Sequence, residues 1–200
     1  KRPTVFEFTD GLIKQMRTAN KLGNADVYQS TINKLSKFHP SRALEFTDIN
    51  YDFIIRYETS LTAMGLMGNT ISIYLRTLRI IYNKAIKSGV VDRASYPFYG
   101  IPIKHERTRK RAISKEKMKL IENLELPEGT PIWHNRNYFI LSFYLIGISY
   151  IDMITLKRSD LKNGRVSFVR RKTGKHYDIK LTPVAKTIIN YHQEKLNTTD

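Results

Sequence analysis

One short stretch in the C-terminal half of the chain places four cations around a glycine. It reads Arg170-Arg171-Lys172-Thr173-Gly174-Lys175. Guanidinium and ammonium groups pair with phosphate oxygens, and glycine readily adopts the positive φ that a tight turn requires. The stretch therefore indicates a turn that presents positive charge to a phosphate-bearing partner. Basic turns of this kind also occur on DNA-binding surfaces that have no catalytic role.

A second polar group lies upstream, in the segment Gly147-Ile148-Ser149-Tyr150-Ile151-Asp152. It follows an apolar helical run, and its glycine predicts a turn. Residues 150–156 then predict a short helix. The hydroxyl of Ser149 and the carboxylate of Asp152 are thus expected where this turn meets this helix.

The residues between and after these groups predict the elements that carry them. Apolar residues alternate with polar ones, as they do in half-buried strands, at Val166, Phe168, Tyr177, Ile179 and Leu181. This alternation predicts a β-hairpin of residues 165–170 and 176–181, with the basic turn at its tip. Ser114 predicts the cap of a helix through residue 124, and Thr130-Pro131 predicts the start of a helix to residue 146. The helix to residue 146 is almost wholly apolar from residue 138 onward, so we expect it to be buried. Thr182-Pro183 predicts the start of one more helix.

The N-terminal half is predicted to be helical over residues 5–20, 24–38, 50–63 and 70–88, the last capped by Asn69 or Thr70. At about 100° per residue, the fourth helix carries one apolar stripe, formed by Ile71, Leu75, Leu78, Tyr82 and Ala85. A second face carries residues of the types that pair with phosphates and base edges, namely Ser72, Arg76, Arg79, Asn83 and Lys87. We expect this face to contact DNA; a face that is merely solvated is the alternative.

A stretch without helical periodicity, residues 91–111, separates the two halves and becomes strongly basic towards its end. Its expected DNA-contacting residues are Lys104, Arg107, Arg109, Lys110 and Arg111. The predicted organisation is a DNA-binding domain of residues 1–103, a flexible basic linker of residues 104–112 and a second domain of residues 113–200. A solvated tether without a DNA contact is the alternative for the linker.

The overall charge supports a polyanionic partner. The chain has 34 Lys and Arg against 18 Asp and Glu, a net charge of +16. A field of that sign attracts nucleic acid, because each neutralised phosphate releases counterions. No amphipathic terminal segment favours a membrane surface. The absence of cysteine excludes a thiolate metal site and fits a reducing cytoplasm, although chance explains it equally well.

Taken together, the apolar helix, the glycine turn, the short helix and the basic hairpin resemble the first half of the catalytic domain of tyrosine recombinases, the phage integrase family. The N-terminal helices resemble the core-binding, SAM-like domain of the same family. The resemblance implies a mainly α, two-domain fold: a four-helix SAM-like domain followed by the N-terminal half of an α+β catalytic domain. It also implies double-stranded DNA as the substrate and a bacterial, nucleoid-associated location.

The resemblance implies roles for three residues. In the family the segment reads Gly, an apolar residue, Arg, two residues, then Glu or Asp. Asp152 matches the acidic position, which braces the active site, whereas Ser149 stands where the first catalytic arginine is expected. A neutral hydroxyl stabilises developing negative charge less well than a guanidinium does. Ser149 is either a tolerated substitution, as in some integrases of conjugative and mobilisable transposons, or the mark of a decayed site. Lys172 matches the hairpin lysine that acts as general acid, with Lys175 as the alternative.

The remaining family residues are not found in this sequence. Of the five histidines, only His39 is followed by arginine three residues later, at Arg42, and this pair lies in the N-terminal half, far upstream of the predicted hairpin. Tyr191 follows the hairpin too closely to be the nucleophile. The resemblance implies that the complete protein joins DNA through a phosphotyrosine intermediate, without metal or other cofactor, in an assembly of four protomers. It also implies that the 200-residue chain alone does not cleave DNA.

Two further hypotheses remain. One is a non-catalytic DNA-binding regulator or accessory factor of a mobile element, with a decayed recombinase fold, for which Ser149 is the main support. The other is an RNA-binding protein of the translation machinery, against which the lack of a recognisable RNA motif argues.

Overall fold

The computed structural model describes residues 2–109 and 111–197. The chain divides between Arg109 and Lys110 into two compact units, here called the N-terminal and the C-terminal unit. In the described residues, no helix has the length and apolarity to cross a membrane.

The N-terminal unit contains four α-helices, α1 (Val5–Thr18), α2 (Leu22–Phe38), α3 (Tyr51–Ala63) and α4 (Gly68–Lys87). Short 3₁₀ turns lie at Phe46–Asp48 and Arg93–Ser95. Thr4 begins α1 with a reciprocal capping box: its hydroxyl accepts from the Glu7 amide, and the Glu7 carboxylate accepts from the Thr4 amide. The four predicted helices are thus confirmed to within a few residues at their ends.

The apolar stripe of α4 forms the centre of this unit's core, as predicted: its members Ile71, Leu75, Leu78, Tyr82 and Ala85 are all buried. Burial of such side chains stabilises the fold by about 1.5–3 kcal/mol each. The hydroxyl of Tyr82 donates to the Ser95 carbonyl at 2.7 Å, and burial raises the pKa of Tyr82 to about 12. This ring therefore remains neutral at any physiological pH.

The predicted cap of α4 is wrong. The helix begins at Gly68, and the N-cap residue is Met67, which makes no side-chain capping bond. The amide of Asn69 is instead used by a distant segment: its Nδ2 donates to the Glu106 carbonyl and its Oδ1 accepts from the Glu106 amide, both at 2.9 Å. The Asn69 side chain therefore makes a tertiary contact with Glu106 instead of capping α4.

The C-terminal unit contains α5 (Lys115–Glu122), α6 (Pro131–Tyr144), α7 (Tyr150–Ile154) and α8 (Pro183–Asn197). Between α7 and α8 lies an antiparallel sheet in the order β1 (Leu161–Lys162), β2 (Arg165–Val169) and β3 (His176–Lys180). The hairpin of β2 and β3 is confirmed, with Val166 opposite Ile179 and Phe168 opposite Tyr177. The predicted helix starts at Ser114 and Thr130 are also confirmed, since each hydroxyl accepts a backbone N–H of the first turn.

Two details of this unit differ from the sequence prediction. The strand β1 was not expected, because two residues are too few to show alternation; Asn163 and Gly164, both at positive φ, form the tight turn that joins it to β2. The helix α6 is not buried all round. It buries Ile140 and Leu141 against the core, whereas Phe139 and Phe143 are 46% and 55% exposed. The helices α5, α7 and α8 all contact α6, yet these two side chains stay in contact with solvent.

Candidate functional site

The start of α7 joins two of the predicted site residues. Ser149 is the N-cap, and its Oγ accepts the Asp152 amide at 3.3 Å. The same hydroxyl donates to Asp152 Oδ2 at 2.6 Å. The hydroxyl of Ser149 is therefore committed to capping α7 and to holding the carboxylate of Asp152.

Asp152 joins this turn to the basic hairpin. Its side chain is buried, with the residue only 4% exposed, and its Oδ1 accepts the backbone amide of Arg171 at 3.0 Å. A buried carboxylate must be compensated by hydrogen bonds, and here one oxygen bonds within α7 while the other bonds to the hairpin. Asp152 thus fixes the tip of the hairpin against the Gly147–Ser149 turn. Asp152 therefore braces two segments of the C-terminal unit, and its role in an active site stays a prediction.

The basic turn is itself held by backbone hydrogen bonds. The Arg170 amide donates to the Lys175 carbonyl, and the Gly174 amide donates to the Arg170 carbonyl, both at 2.8 Å. Gly174 has a φ of +68°, so a glycine suits this turn. Lys172 lies within the turn with an exposed side chain. The Nζ of Lys175 lies instead 5.4 Å from the centre of the Tyr177 ring.

The structure also places Arg170 at this site. Its Nη2 donates to the Gly147 carbonyl at 2.9 Å, and its guanidinium lies 5.7 Å from the centre of the Tyr177 ring. The sequence predicts only a DNA contact for Arg170. No local pattern links it to Gly147, because the two residues are 23 positions apart.

On α4, only some residues of the predicted DNA-binding face are exposed to solvent. Asn83 and Lys87 are exposed, and Arg76 and Arg79 are half-buried. The prediction for Ser72 is not supported. This residue is 6% exposed, and its hydroxyl donates to the Lys104 carbonyl. Ser72 is turned towards residues 104–106 and away from solvent.

The basic stretch has two parts. Lys104 and Glu106 are bound to α4 through the side chains of Ser72 and Asn69, so the first residues of the predicted flexible linker are fixed to the N-terminal unit. Arg107, Arg109 and Arg111 are exposed, and Lys110 lies outside the described residues. DNA contact by these residues stays a prediction, as do the domain limits 1–103, 104–112 and 113–200.

An aromatic cluster lies where α6 packs against α8. Its rings belong to Trp133, His134, Tyr138, Tyr191 and His192. Burial lowers the pKa of His192, and the nearby His134 lowers it further. In the described part of the chain, no three His, Cys, Asp or Glu residues come together as a metal site would require. Trp133 and His134 therefore contribute ring packing between α6 and α8.

Residues 4–101 match the family model of the phage integrase SAM-like domain. The chain also resembles solved integrase structures. A lambda integrase tetramer bound to a Holliday junction matches with a TM-score of 0.67 and 21% identity, over 96% of this chain and 56% of that one. The Tn1549 transposon integrase in complex with circular intermediate DNA matches with a TM-score of 0.59 and 13% identity, over 96% of this chain and 65% of that one. No curated protein matches significantly.

At these identities the solved structures establish the fold, and the family match covers the N-terminal unit. Residues 4–101 therefore form a phage integrase SAM-like domain, and the chain as a whole has the fold of integrases. Its N-terminal unit is the SAM-like domain, and its C-terminal unit has the fold of the corresponding part of an integrase. The chain spans between 56% and 65% of the length of the integrases described above.

Proposed function

We propose that this chain is the core-binding domain and the first half of the catalytic site of a site-specific DNA recombinase. The host would be a mobile genetic element of the conjugative- or mobilisable-transposon type. The observation that carries the proposal is the bridge made by Asp152, which fixes the basic hairpin tip against the Ser149 turn. This bridge supports a role for Lys172 as the proton donor to a leaving oxygen, because such a donor has to be carried on a firmly held segment.

The proposed reaction is phosphoryl transfer through the protein. A tyrosine attacks the scissile phosphate and holds the strand covalently, so that the bond energy is conserved for joining to a partner strand. After the basic turn, the sequence has no histidine followed by arginine three residues later, which is the pair that the family's catalytic site uses. We propose that this pair and the nucleophilic tyrosine are supplied by polypeptide that follows residue 200, and that the 200-residue chain is inactive alone. We further propose an assembly of four protomers on two DNA sites; the lambda integrase structure, which supports this, is a tetramer bound to a Holliday junction.

Covalent trapping tests the proposed function. The complete recombinase is incubated with a nicked duplex that carries the end of its element, and protein–DNA adducts are separated under denaturing conditions. We expect an adduct with the complete protein and none with the 200-residue chain. Tight binding of the complete protein without any adduct would contradict catalysis.

A second function, a DNA-binding regulator with a decayed site, has one specific observation in its favour. Ser149 replaces a cation and its hydroxyl is already used twice. This hypothesis predicts specific DNA binding by the complete protein and no covalent complex under any condition. The trapping experiment therefore separates the two.

The α4 face gives a prediction for DNA binding by the chain itself. Replacing Arg76 and Arg79 together with alanine should weaken duplex binding by about 10-fold or more and should reduce the salt slope by about 2, because each lost phosphate contact lowers counterion release. The measurement is the dissociation constant of a fluorescent duplex at several salt concentrations.

A matched control removes the same formal charge elsewhere. Arg17 and Arg42 each pair with a carboxylate, Asp26 at 3.3 Å and Asp10 at 2.6 Å, so their replacement by alanine should change the salt slope less. Equal effects of the two double variants would mean that overall charge, rather than the α4 face, governs binding.

A further inference from the structure

Ser149, the N-cap of α7, stands where the resemblance implies an arginine, so the proposed site has a neutral side chain at this position. We propose that Arg170, on the hairpin, supplies the guanidinium that binds the scissile phosphate in place of that arginine. This inference rests on the proposed recombinase function. It assigns to Arg170 a role in the chemical step and not only in DNA binding.

Ser149 is not available for the task. Its hydroxyl donates to Asp152 Oδ2 at 2.6 Å and accepts the Asp152 amide, so it has no second hydrogen to offer a phosphate. It is also neutral, whereas the pentavalent phosphorus species carries one more negative charge than the diester. A fixed cation beside that charge is what position 149 lacks.

Arg170 reaches the same turn from the other side. Its Nη2 donates to the carbonyl of Gly147, two residues before Ser149, at 2.9 Å. Its Nη1 donates to the Tyr177 hydroxyl at 3.4 Å, and its guanidinium lies over the Tyr177 ring. The guanidinium is thus attached to the turn that would otherwise carry the catalytic arginine.

The backbone on both sides of this residue is fixed. The Arg170 amide and carbonyl both bond across the turn, and the next amide, that of Arg171, bonds to Asp152. A group that stabilises a transition state must be held in place before the reaction, since ordering it during the reaction would add to the barrier. Arg170 meets this condition better than Arg171 and Lys172, whose side chains are exposed.

The positive charge and several N–H donors of Arg170 are also available to bind a phosphate. Within the described ranges, no carboxylate lies at ion-pair distance from its guanidinium, and both oxygens of Asp152 are bonded to other groups. A guanidinium has five N–H donors, and the contacts with Gly147 and Tyr177 use two of them. The remaining donors can form the two parallel bonds that guanidinium makes with phosphate.

In the proposed step, the bond from the tyrosine oxygen to phosphorus forms as the bond from phosphorus to the 5′ oxygen breaks. The tyrosine proton passes to solvent, and Lys172 gives a proton to the 5′ oxygen. Arg170 is not consumed. It binds the non-bridging oxygens, whose negative charge is greatest in the pentavalent species.

The test uses the complete recombinase in single-turnover cleavage of a nicked duplex, at protein concentrations that saturate binding. Arg170→Ala should slow cleavage by about 100-fold or more, at least ten times the loss caused by Arg171→Ala, which removes the adjacent, exposed cation. Arg170→Lys should recover only part of the rate, because ammonium lacks the planar fork. Adding Ser149→Arg to Arg170→Ala should restore cleavage, since it returns a guanidinium to the turn from the α7 side.

A substrate with a methylphosphonate at the scissile position gives a readout that a purely structural role would not move. This linkage lacks the negative charge, so the loss caused by Arg170→Ala should shrink markedly on it. An equal loss on both substrates would overturn the proposal, as would wild-type cleavage rates in Arg170→Ala. If the unsubstituted recombinase forms no adduct at all, the proposed function fails first and this inference fails with it.

Discussion

Replacement of Asp152 by alanine is expected to lower the free energy of unfolding of the C-terminal unit by about 2–4 kcal/mol. The carboxylate is buried and accepts two hydrogen bonds, from the Ser149 hydroxyl and from the Arg171 amide. Hydrogen bonds to a charged group contribute about 1.5–3 kcal/mol each, and the desolvation of the carboxylate offsets part of that gain. Removal of the carboxylate also leaves the Arg171 amide without its partner.

The chain contains its own probe for this measurement. Its single tryptophan, Trp133, lies on α6 in the C-terminal unit, with its ring 4.5 Å from that of Tyr191. Urea unfolding followed by tryptophan fluorescence therefore reports on the unit that contains Asp152. Amide hydrogen exchange at Arg171 should increase in parallel, because its N–H loses its acceptor.

Two matched variants show whether the buried bridge is the cause. Asp152→Asn keeps an oxygen for the Arg171 amide and should cost less than Asp152→Ala. Asp178→Ala removes another aspartate of the same unit, one that is half exposed and paired with Arg165, and should cost less than about 1 kcal/mol. Equal losses for Asp152→Ala and Asp178→Ala would contradict the bracing role.

The sequence predicts most of the fold because the relevant signals are local. The apolar stripe of α4 at helical spacing and the alternation from Val166 to Ile179 fix which faces are buried, whatever the neighbours are. Ser149 is a residue type that favours the N-cap position, and the structure makes it the N-cap of α7, with its hydroxyl accepting the Asp152 amide.

What the sequence could not predict depends on contacts between distant segments. Ser72 looks like a member of a polar surface face, but it is buried because the Lys104 carbonyl, 32 residues away, accepts its hydroxyl. Phe143 looks like a core residue, but it is 55% exposed, and the side chains that α6 buries are those of Asn137, Ile140 and Leu141. The link between Arg170 and Gly147 likewise depends on how the hairpin folds back onto the α7 turn, and no spacing rule encodes it.

Lys172→Ala is expected to slow DNA cleavage by the complete recombinase by about 10²–10⁴-fold, the range that a positioned general acid contributes. Lys172 lies in a turn that is closed by the hydrogen bond from the Arg170 amide to the Lys175 carbonyl and is attached to α7 by Asp152. Its backbone is therefore fixed while its exposed side chain can move towards a leaving oxygen. The measurement is the single-turnover rate of covalent adduct formation on a nicked duplex.

A substrate with sulphur in place of the bridging 5′ oxygen separates proton donation from phosphate binding. A thiolate leaves without needing a proton, so Lys172→Ala should cleave this substrate at nearly the rate of the unsubstituted protein if its role is that of an acid. Lys175→Ala is the matched control, because the ammonium of Lys175 lies against the Tyr177 ring and should have a smaller effect on the oxygen substrate. Rescue of Lys175→Ala by sulphur, and not of Lys172→Ala, would transfer the role to Lys175. If sulphur rescued neither variant, the hairpin cations would act on the phosphate alone.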